Sequence, residues 1–279
     1  MHEYHNVSFD ISKVLTNAYS TSFSLGIKAF VSEYRNAIYA VYGYVRVADE
    51  IVDSFHGFDK KKLLDKFRND THEAIETGIS TNPVIHSFQK VVNEYAIDIK
   101  LIDAFLKSME SDLYENYYER EEYDHYIYGS AEVVGLMCLK VFVNGNDDEY
   151  EKLKYSAQML GAAFQKVNFL RDIKSDIDER KRIYLPGVDR EELITDKNKK
   201  NLEKEIEREF SEALKGIMLL PVGVKLGVYS AFQYYYGLFR KIQSLSVKDL
   251  LSRRVRISNI KKLFLLLKSF IEIKFLKTA

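Results

Sequence analysis

The sequence predicts an all-α protein, and three observations support this prediction. Apolar side chains recur at the i, i+3, i+4 spacing of amphipathic helices along most of the chain, as at Val41, Val45 and Ala48. The 279 residues include only 3 Pro and 13 Gly, too few for the many turns of a sheet protein. No low-complexity linker and no internal repeat divides the chain, so we predict a single domain over residues 1–279.

Helical periodicity also predicts where most elements lie. Gly78 marks the end of the second helix, and residues 178–198 form a polar loop. The small residues Gly129, Ala131 and Gly135 predict close packing between helices. The predicted helices cover residues 24–55, 59–77, 84–96, 99–119, 127–143, 149–177, 199–219, 222–245 and 257–277.

Composition excludes several function classes. Lys and Arg number 41, as do Asp and Glu, so the chain lacks the basic excess of a general nucleic-acid or anionic-membrane electrostatic footprint. Cys138 is the single cysteine, which excludes an intrachain disulfide and a thiolate zinc cluster.

The N-terminus has no signal-peptide pattern, and charges at Lys268, Glu272 and Lys274 interrupt the most apolar stretch. We therefore expect a cytoplasmic protein. Walker, GxGxxG and GxSxG motifs are also absent from the sequence.

Two pairs of aspartates stand at helical spacing. Asp49 and Asp53 are four residues apart, as are Asp172 and Asp176, so each pair stacks two carboxylates on one helix face. Such oxygens can bind Mg²⁺, which is usually shared with a substrate phosphate. One pair alone is more typical of a solvated helix face, so its surroundings decide the interpretation.

The surroundings favour a cation-filled cavity. Gln165 and Asn168 lie on the same helical stripe as Asp172 and Asp176, and this stripe of amides and acids would be costly in a dry core. Arg46 and Arg171 lie beside the two acid pairs. A guanidinium matches phosphate oxygens bidentately, so the arginines would complete a phosphate clamp.

Four segments together resemble the squalene and phytoene synthase family. Residues 160–176, followed by 182–186, resemble its second aspartate-rich signature at nearly every constrained position. Residues 19–24 resemble its N-terminal Ser-x-Ser-Phe element, and residues 42–53 its first aspartate-rich motif. Residues 128–135 resemble its Tyr-x-x-Ala-x-x-Val-Gly packing segment. The resemblance extends over about residues 12–265, with weaker matches at 235–239 and 254–256.

This resemblance implies the all-α isoprenoid-synthase fold, with helices around a central cavity and the two aspartate motifs on facing walls. It implies that two prenyl diphosphates are condensed head to head, with Mg²⁺, or Mn²⁺ in its place, as the cofactor. The implied metal ligands are Asp49, Asp53, Asn168, Asp172 and Asp176. The implied catalytic set consists of the four aspartates with Arg46, Arg171 and Tyr42. The implied substrate-binding residues are Ser20, Thr21, Ser22, Phe23, Tyr42, Arg46, Tyr128, Gln165, Asn168, Arg171, Tyr184 and Tyr235, of which Phe23, Tyr128, Tyr184 and Tyr235 would line the cavity.

Some residues allow two interpretations. Glu132 stands where many family members have Gly, and we interpret it as a Glu satisfied by packing, with a tuning acid as the alternative. The basic runs 180–182 and 253–254 are interpreted as solvated surface, although Arg182 lies in the matched loop and could approach a diphosphate. The helix 261–277 is interpreted as core packing, with peripheral contact to the inner membrane as the alternative.

Three activities share the family scaffold. The runs 128–137 and 254–256 most resemble bacterial phytoene synthases, which condense twenty-carbon geranylgeranyl diphosphate without NADPH. This resemblance implies the first committed step of carotenoid biosynthesis, with phytoene desaturase as a downstream partner. The alternatives are dehydrosqualene synthase and NADPH-dependent squalene synthase, both acting on fifteen-carbon farnesyl diphosphate. A non-catalytic helical assembly factor is more remote, because the full set of acids and arginines is present. The element Gln165-x-x-Asn168-x-x-Arg171-Asp172 argues against a terpene cyclase.

Overall fold

The computed structural model describes residues 1–189 and 194–276, and every element named within them is helical, which confirms the predicted all-α class. In these two ranges the only β pairing is an isolated bridge between Tyr117 and Ile183. The side chains at positions 21, 22, 259, 261, 275 and 276 lie outside the description. The helices are α1 (His2–Tyr19), α2 (Thr21–Lys28), α3 (Ser32–Asp53), α4 (Lys60–Thr77), α5 (Pro83–Glu94), α6 (Ile99–Ser111), α7 (Arg120–Ile127), α8 (Val133–Phe142), α9 (Asp147–Ser175), α10 (Asp196–Leu219), α11 (Val222–Gln243), α12 (Val247–Ser252) and α13 (Asn259–Leu276).

The first helix was not predicted, because its buried face is polar. Ser8, Ser12 and Thr16 are fully buried at four-residue spacing on this helix, which packs on α3 and α5. Its apolar residues Phe9, Ile11 and Leu15 are only partly buried against the core. The Ser8 hydroxyl donates to the Tyr4 carbonyl at 2.7 Å and the Thr16 hydroxyl to the Ser12 carbonyl at 2.8 Å, which satisfies these groups inside the helix. Small side chains here allow a close approach: a Cβ at Gly43 would lie 3.0 Å from Ser12 Cβ.

The stretch 24–55, predicted as one helix, is divided between α2 and α3. Val31 is extended at the start of α3, and its N–H donates to the Gly223 carbonyl at 3.0 Å. The Arg35 guanidinium donates to the carbonyls of Lys28 and Phe30 at 2.9 Å. These partners satisfy backbone groups at the break, and neither contact leaves a mark in the apolar pattern of the sequence.

Close contacts through small residues hold α8 against α9, as predicted. A Cβ at Gly135 would lie 2.8 Å from the Ala157 carbonyl oxygen, and one at Gly161 would lie 2.6 Å from the Ala131 oxygen. Each helix also adjoins a π-helical turn, Tyr128–Glu132 before α8 and Asp176–Arg180 after α9. Such turns are frequent at functional sites. The second one carries the last aspartate of the predicted metal set.

The hydropathy of the helices shows whether any of them could cross a membrane. Among the helices described, none combines the length and the low charge that crossing a membrane requires.

Replacing Gly161 by Ala should destabilise the fold. The new Cβ would lie 2.6 Å from the Ala131 oxygen, and since backbone cannot move aside cheaply we expect a loss of about 1–3 kcal/mol in the free energy of unfolding. Urea denaturation of the full chain measures this loss. The matched control is Gly237→Ala in α11, where the nearest atom to a Cβ lies 3.5 Å away and Ala favours the helix. Equal stability of the two variants would contradict the close-packing argument.

Candidate active site

A cavity of about 820 Å³ opens between the helices, lined from α2, α3, α8, α9, α10 and α11. Its size is in the range of small-molecule sites. One part of the wall is charged and is described below. The remainder is mostly apolar and includes Ile27, Phe30, Cys138, Phe142, Leu153, Leu160, Ile217 and Val228. Burial raises the pKa of the Cys138 thiol to about 12, consistent with an unreactive wall residue.

The two aspartate pairs lie close together in this cavity. Asp49 and Asp53 come from α3, whereas Asp172 lies in α9 and Asp176 begins the π-helical turn behind it. Arg180 joins the two pairs: its Nε lies 3.1 Å from Asp53 Oδ2, and its Nη1 lies 2.7 Å from Asp176 Oδ1. Arg180 and Asp53 are 127 positions apart in sequence, so only the fold brings them into contact.

A second arginine of the same segment is buried behind the pairs. Arg182 Nη1 lies 3.0 Å from Asp53 Oδ1 and donates to the Tyr184 hydroxyl at 3.2 Å, while Nη2 donates to the Asp112 carbonyl. The Asp112 carboxylate accepts hydrogen bonds from Tyr184 at 2.9 Å, Tyr126 at 2.8 Å and Tyr118 at 3.2 Å. Asp112 and Tyr126 line the cavity, and neither was predicted from sequence.

Three further arginines accompany the acids. Arg46 pairs with Asp49 and Glu50 along α3. Arg171 Nε donates to Asp172 Oδ1 at 2.9 Å, and Arg254 Nε lies 2.6 Å from the same oxygen. The interpretation of the basic runs as solvated surface is wrong for Arg182, which is buried and pairs with Asp53. Arg180 and Arg254 are exposed as expected, although they also pair with Asp53 and Asp172. Lys181 and Arg253, the other members of the two runs, are exposed as well.

The arginines do not fully offset the negative charge of the aspartates. The Asp49 side chain keeps 33% of its surface accessible, yet the protein around it and the charge of Asp53 raise its pKa to about 6. Burial raises the pKa of Asp176 to about 7, even though Arg180 opposes this shift, and the charge of Asp172 adds to it. A site whose carboxylates resist ionisation in this way favours additional positive charge.

The donor set fits a hard divalent cation. Asp49, Asp53, Asn168, Asp172 and Asp176 offer only oxygen ligands toward the cavity, the type that Mg²⁺ requires. Asn168 Oδ1 is buried without a hydrogen-bond partner, and such an acceptor is costly unless something binds it. In the two described ranges no three acidic, His or Cys side chains form a complete metal cluster. A cation bound here would therefore share oxygens with water or with an anionic ligand.

Most of the other predicted binding residues also line the cavity. Ser20 caps α2 by accepting from the Phe23 N–H at 3.2 Å, and the Phe23 ring stacks on Tyr42 at 4.8 Å. Tyr235 stacks on Phe164 at 3.9 Å. Gln165 and Tyr184 belong to the lining as well. The side chains of Thr21 and Ser22 lie outside the described residues.

Tyr128 is not placed in the cavity wall. Its ring is 38% exposed, and the members of its π-helical turn that reach the cavity are Ser130 and Ala131. Tyr128 therefore lies outside the cavity lining, contrary to the prediction. Glu132 is outside the lining too and accepts from Gln158 Nε2 at 2.9 Å, as a packing-satisfied side chain would.

Comparison with known proteins gives the family of this chain. Residues 16–261 match the family model described as squalene/phytoene synthase. The chain belongs to the squalene/phytoene synthase family. Phytoene synthase 1, chloroplastic, of Solanum lycopersicum is 28% identical over 269 residues, which cover 89% of this chain and 64% of that protein. The 15-cis-phytoene synthase of Synechocystis sp. is 29% identical over 283 residues, covering 93% and 83%. The chain thus spans less than two thirds of the tomato relative.

Solved structures confirm the isoprenoid-synthase fold for this family member. A crystal structure of a dehydrosqualene synthase in complex with ligand superposes with a TM-score of 0.81 at 21% identity, over 99% of both chains. Squalene synthase HpnC from Alicyclobacillus acidocaldarius superposes with a TM-score of 0.75 at 20% identity, over 86% of this chain and 94% of that one.

Replacing Arg182 by Gln should destabilise the protein in a pH-dependent way. Asp112 and Asp53 would lose a cationic partner, and breaking a buried ion pair costs about 3–5 kcal/mol. Burial already raises the pKa of Asp112, and loss of Arg182 would raise it further. A raised pKa means that the folded protein binds the Asp112 proton more tightly than the unfolded chain does. The loss in unfolding free energy should therefore grow as pH rises and shrink as pH falls. Urea denaturation at several pH values measures it.

The matched control is Arg253→Gln, because Arg253 is an exposed arginine near the same cavity segment. Its unfolding free energy should follow the wild type at every pH. A pH-independent deficit in Arg182→Gln would contradict the assigned role of the arginine as the counter-charge of Asp112.

Proposed function

We propose that this protein is a prenyltransferase that condenses two prenyl diphosphates head to head with the help of Mg²⁺. The observation that carries the proposal is the pair of aspartate clusters joined through Arg180 at the charged part of an otherwise apolar cavity. A diphosphate with a hydrocarbon tail has the same division into a charged and an apolar part. Family membership and the phytoene synthase relatives support the same reading.

The charged wall would bind the diphosphate. Arg46 Nε is buried without a hydrogen-bond partner, so this guanidinium has a donor to spare for a phosphate oxygen. Arg171, Gln165, Ser20 and Tyr42 line the cavity and offer further polar contacts. When bound by the five oxygen-bearing side chains, Mg²⁺ would neutralise the departing diphosphate.

The apolar wall would protect the reacting carbon chain. Loss of diphosphate from the first substrate gives an allylic cation, which the double bond of the second substrate attacks. Loss of a first proton then closes the three-membered ring of a cyclopropylcarbinyl diphosphate. A second ionisation, rearrangement and loss of a proton then complete the reaction. The faces of Phe23, Tyr42 and Tyr235 can stabilise such cations without reacting with them. The apolar wall would keep water away from the cations.

We propose phytoene, made from two geranylgeranyl diphosphates without NADPH, as the product. The sequence runs resembling bacterial phytoene synthases and the relatives named phytoene synthase support this choice. The alternative is a farnesyl diphosphate enzyme, since solved structures of the same fold include dehydrosqualene and squalene synthases. A cytoplasmic location and a downstream phytoene desaturase belong to the same proposal.

Product analysis decides between these activities. The purified full chain is incubated with Mg²⁺ and each diphosphate separately, with and without NADPH, and the products are identified by mass. We expect a forty-carbon hydrocarbon from geranylgeranyl diphosphate without NADPH. A thirty-carbon product from farnesyl diphosphate would instead assign dehydrosqualene or squalene synthase activity, depending on the effect of NADPH. No product from the folded protein would favour the non-catalytic alternative.

Replacing Asp172 by Asn should abolish most of the activity. The variant loses one carboxylate of the proposed metal set and the partner of Arg171 and Arg254, so kcat/KM should fall on the order of a hundredfold or more. Asp178→Asn is the matched control, because that exposed aspartate lies just past the site and pairs with Lys174 at 2.8 Å. Steady-state kinetics on both variants provides the measurement. Equal activity in the two would exclude the assigned role of Asp172.

A further inference from the structure

Helix α13 is apolar on two opposite faces. Its inner face is buried against the body of the protein, as at Leu265, Ser269 and Ile273. Its outer face carries six large apolar side chains, each more than half exposed. They are Ile260 (83%), Leu263 (56%), Phe264 (64%), Leu267 (56%), Phe270 (54%) and Ile271 (53%).

The outer side chains form a continuous stripe. Their positions follow the 3.6-residue period of the helix and extend over about 16 Å of helix axis, at 1.5 Å per residue. Single exposed apolar residues are normal on protein surfaces, but a contiguous apolar patch marks an interaction site. The stripe therefore needs an apolar partner.

The charges beside the stripe fit an anionic partner. Lys268 and Lys274 are exposed on α13. Glu272 lies 3.6 Å from Lys268 and also accepts from Tyr229 at 2.9 Å, so it turns toward α11. Lysines next to exposed Leu and Phe side chains are typical of helices that lie in the headgroup region of anionic bilayers.

A small cavity lies between this region and the main cavity. It has a volume of about 30 Å³ and shares Gly26, Ala231, Tyr234 and Lys262 with the lining of the main cavity. Its other lining residues include Leu25, which is partly exposed on α2, and Leu266 of α13. The wall between the main cavity and the base of α13 is therefore thin. A hydrocarbon leaving through it would emerge beside the apolar stripe.

We propose that α13 docks its outer face on an anionic phospholipid bilayer, lying in the plane of the headgroups, and that product leaves the cavity toward the bilayer between α2, α11 and α13. The exit path rests on the proposed function, whereas the docking does not. A lipid surface explains both the lysines and the position of the small cavity. A second copy of the chain would cover the stripe but would give a hydrocarbon no apolar phase to enter.

Vesicle binding tests the proposal. The full chain is sedimented with vesicles of phosphatidylglycerol and phosphatidylethanolamine, and in parallel with vesicles of phosphatidylcholine alone. The test variant carries Phe264→Ser and Phe270→Ser, and the control variant carries Val14→Ser and Phe58→Ser, which are equally exposed elsewhere. We expect binding to the anionic vesicles, weakened about tenfold or more in the test variant and unchanged in the control. Circular dichroism melting establishes that both variants fold.

Several outcomes would overturn the docking. One is the absence of wild-type binding to either vesicle type, and another is equal binding by wild type and test variant. A wild-type dimer that dissociates in the test variant, without vesicle binding, would assign the stripe to a second copy. Condensation activity is assayed separately in detergent. Vesicle binding by an inactive protein would support the docking and count against the proposed function alone.

Discussion

The crowding of carboxylates where α3 faces the end of α9 is the constraint on which the active site depends. Asp49, Asp53, Asp172 and Asp176 lie near one another, and their mutual repulsion and partial burial raise the pKa of two of them. Arginines from a turn, a loop and two helices converge on this charge, and Arg180 bridges the two pairs directly. The negative charge of the four aspartates holds these arginines in place. The same charge would attract a divalent cation and, through the cation, a diphosphate.

The different sides of helix α9 lie in different surroundings. One side carries the amides and acids of the cavity, while Gly161 lets another side approach α8 closely. Behind the cavity the buried Lys166 pairs with Glu209 and with Glu205, at 3.2 Å, on α10. Helices α8, α10, α11 and α12 all contact α9, so its position is set from several sides. This fixes the acids with the precision that binding a phosphate-bridging cation demands.

The protein presents two apolar environments with different roles. The inner one is the cavity wall, where Phe30, Phe142 and their neighbours surround space for a hydrocarbon. The outer one is the stripe on α13, which is open to the surroundings. The small cavity at Leu25 and Leu266 lies between them. Placing these two environments close together reduces the exposure of a water-insoluble hydrocarbon to water as it leaves the cavity. Such exposure costs hydrophobic free energy.

Local patterns in the sequence determined the helical class and the two aspartate pairs, because residues four apart on a helix share a face whatever surrounds them. They did not reveal α1, whose buried hydroxyl groups carry no apolar signal, nor the outward position of Tyr128 on its π-helical turn. They left Asp112 and Arg180 without a role and gave Arg182 only an approach to the diphosphate, not its contacts with Asp53 and Asp112. Those side chains meet partners more than fifty residues away in the chain, and only the path of the folded backbone brings opposite charges together over such separations.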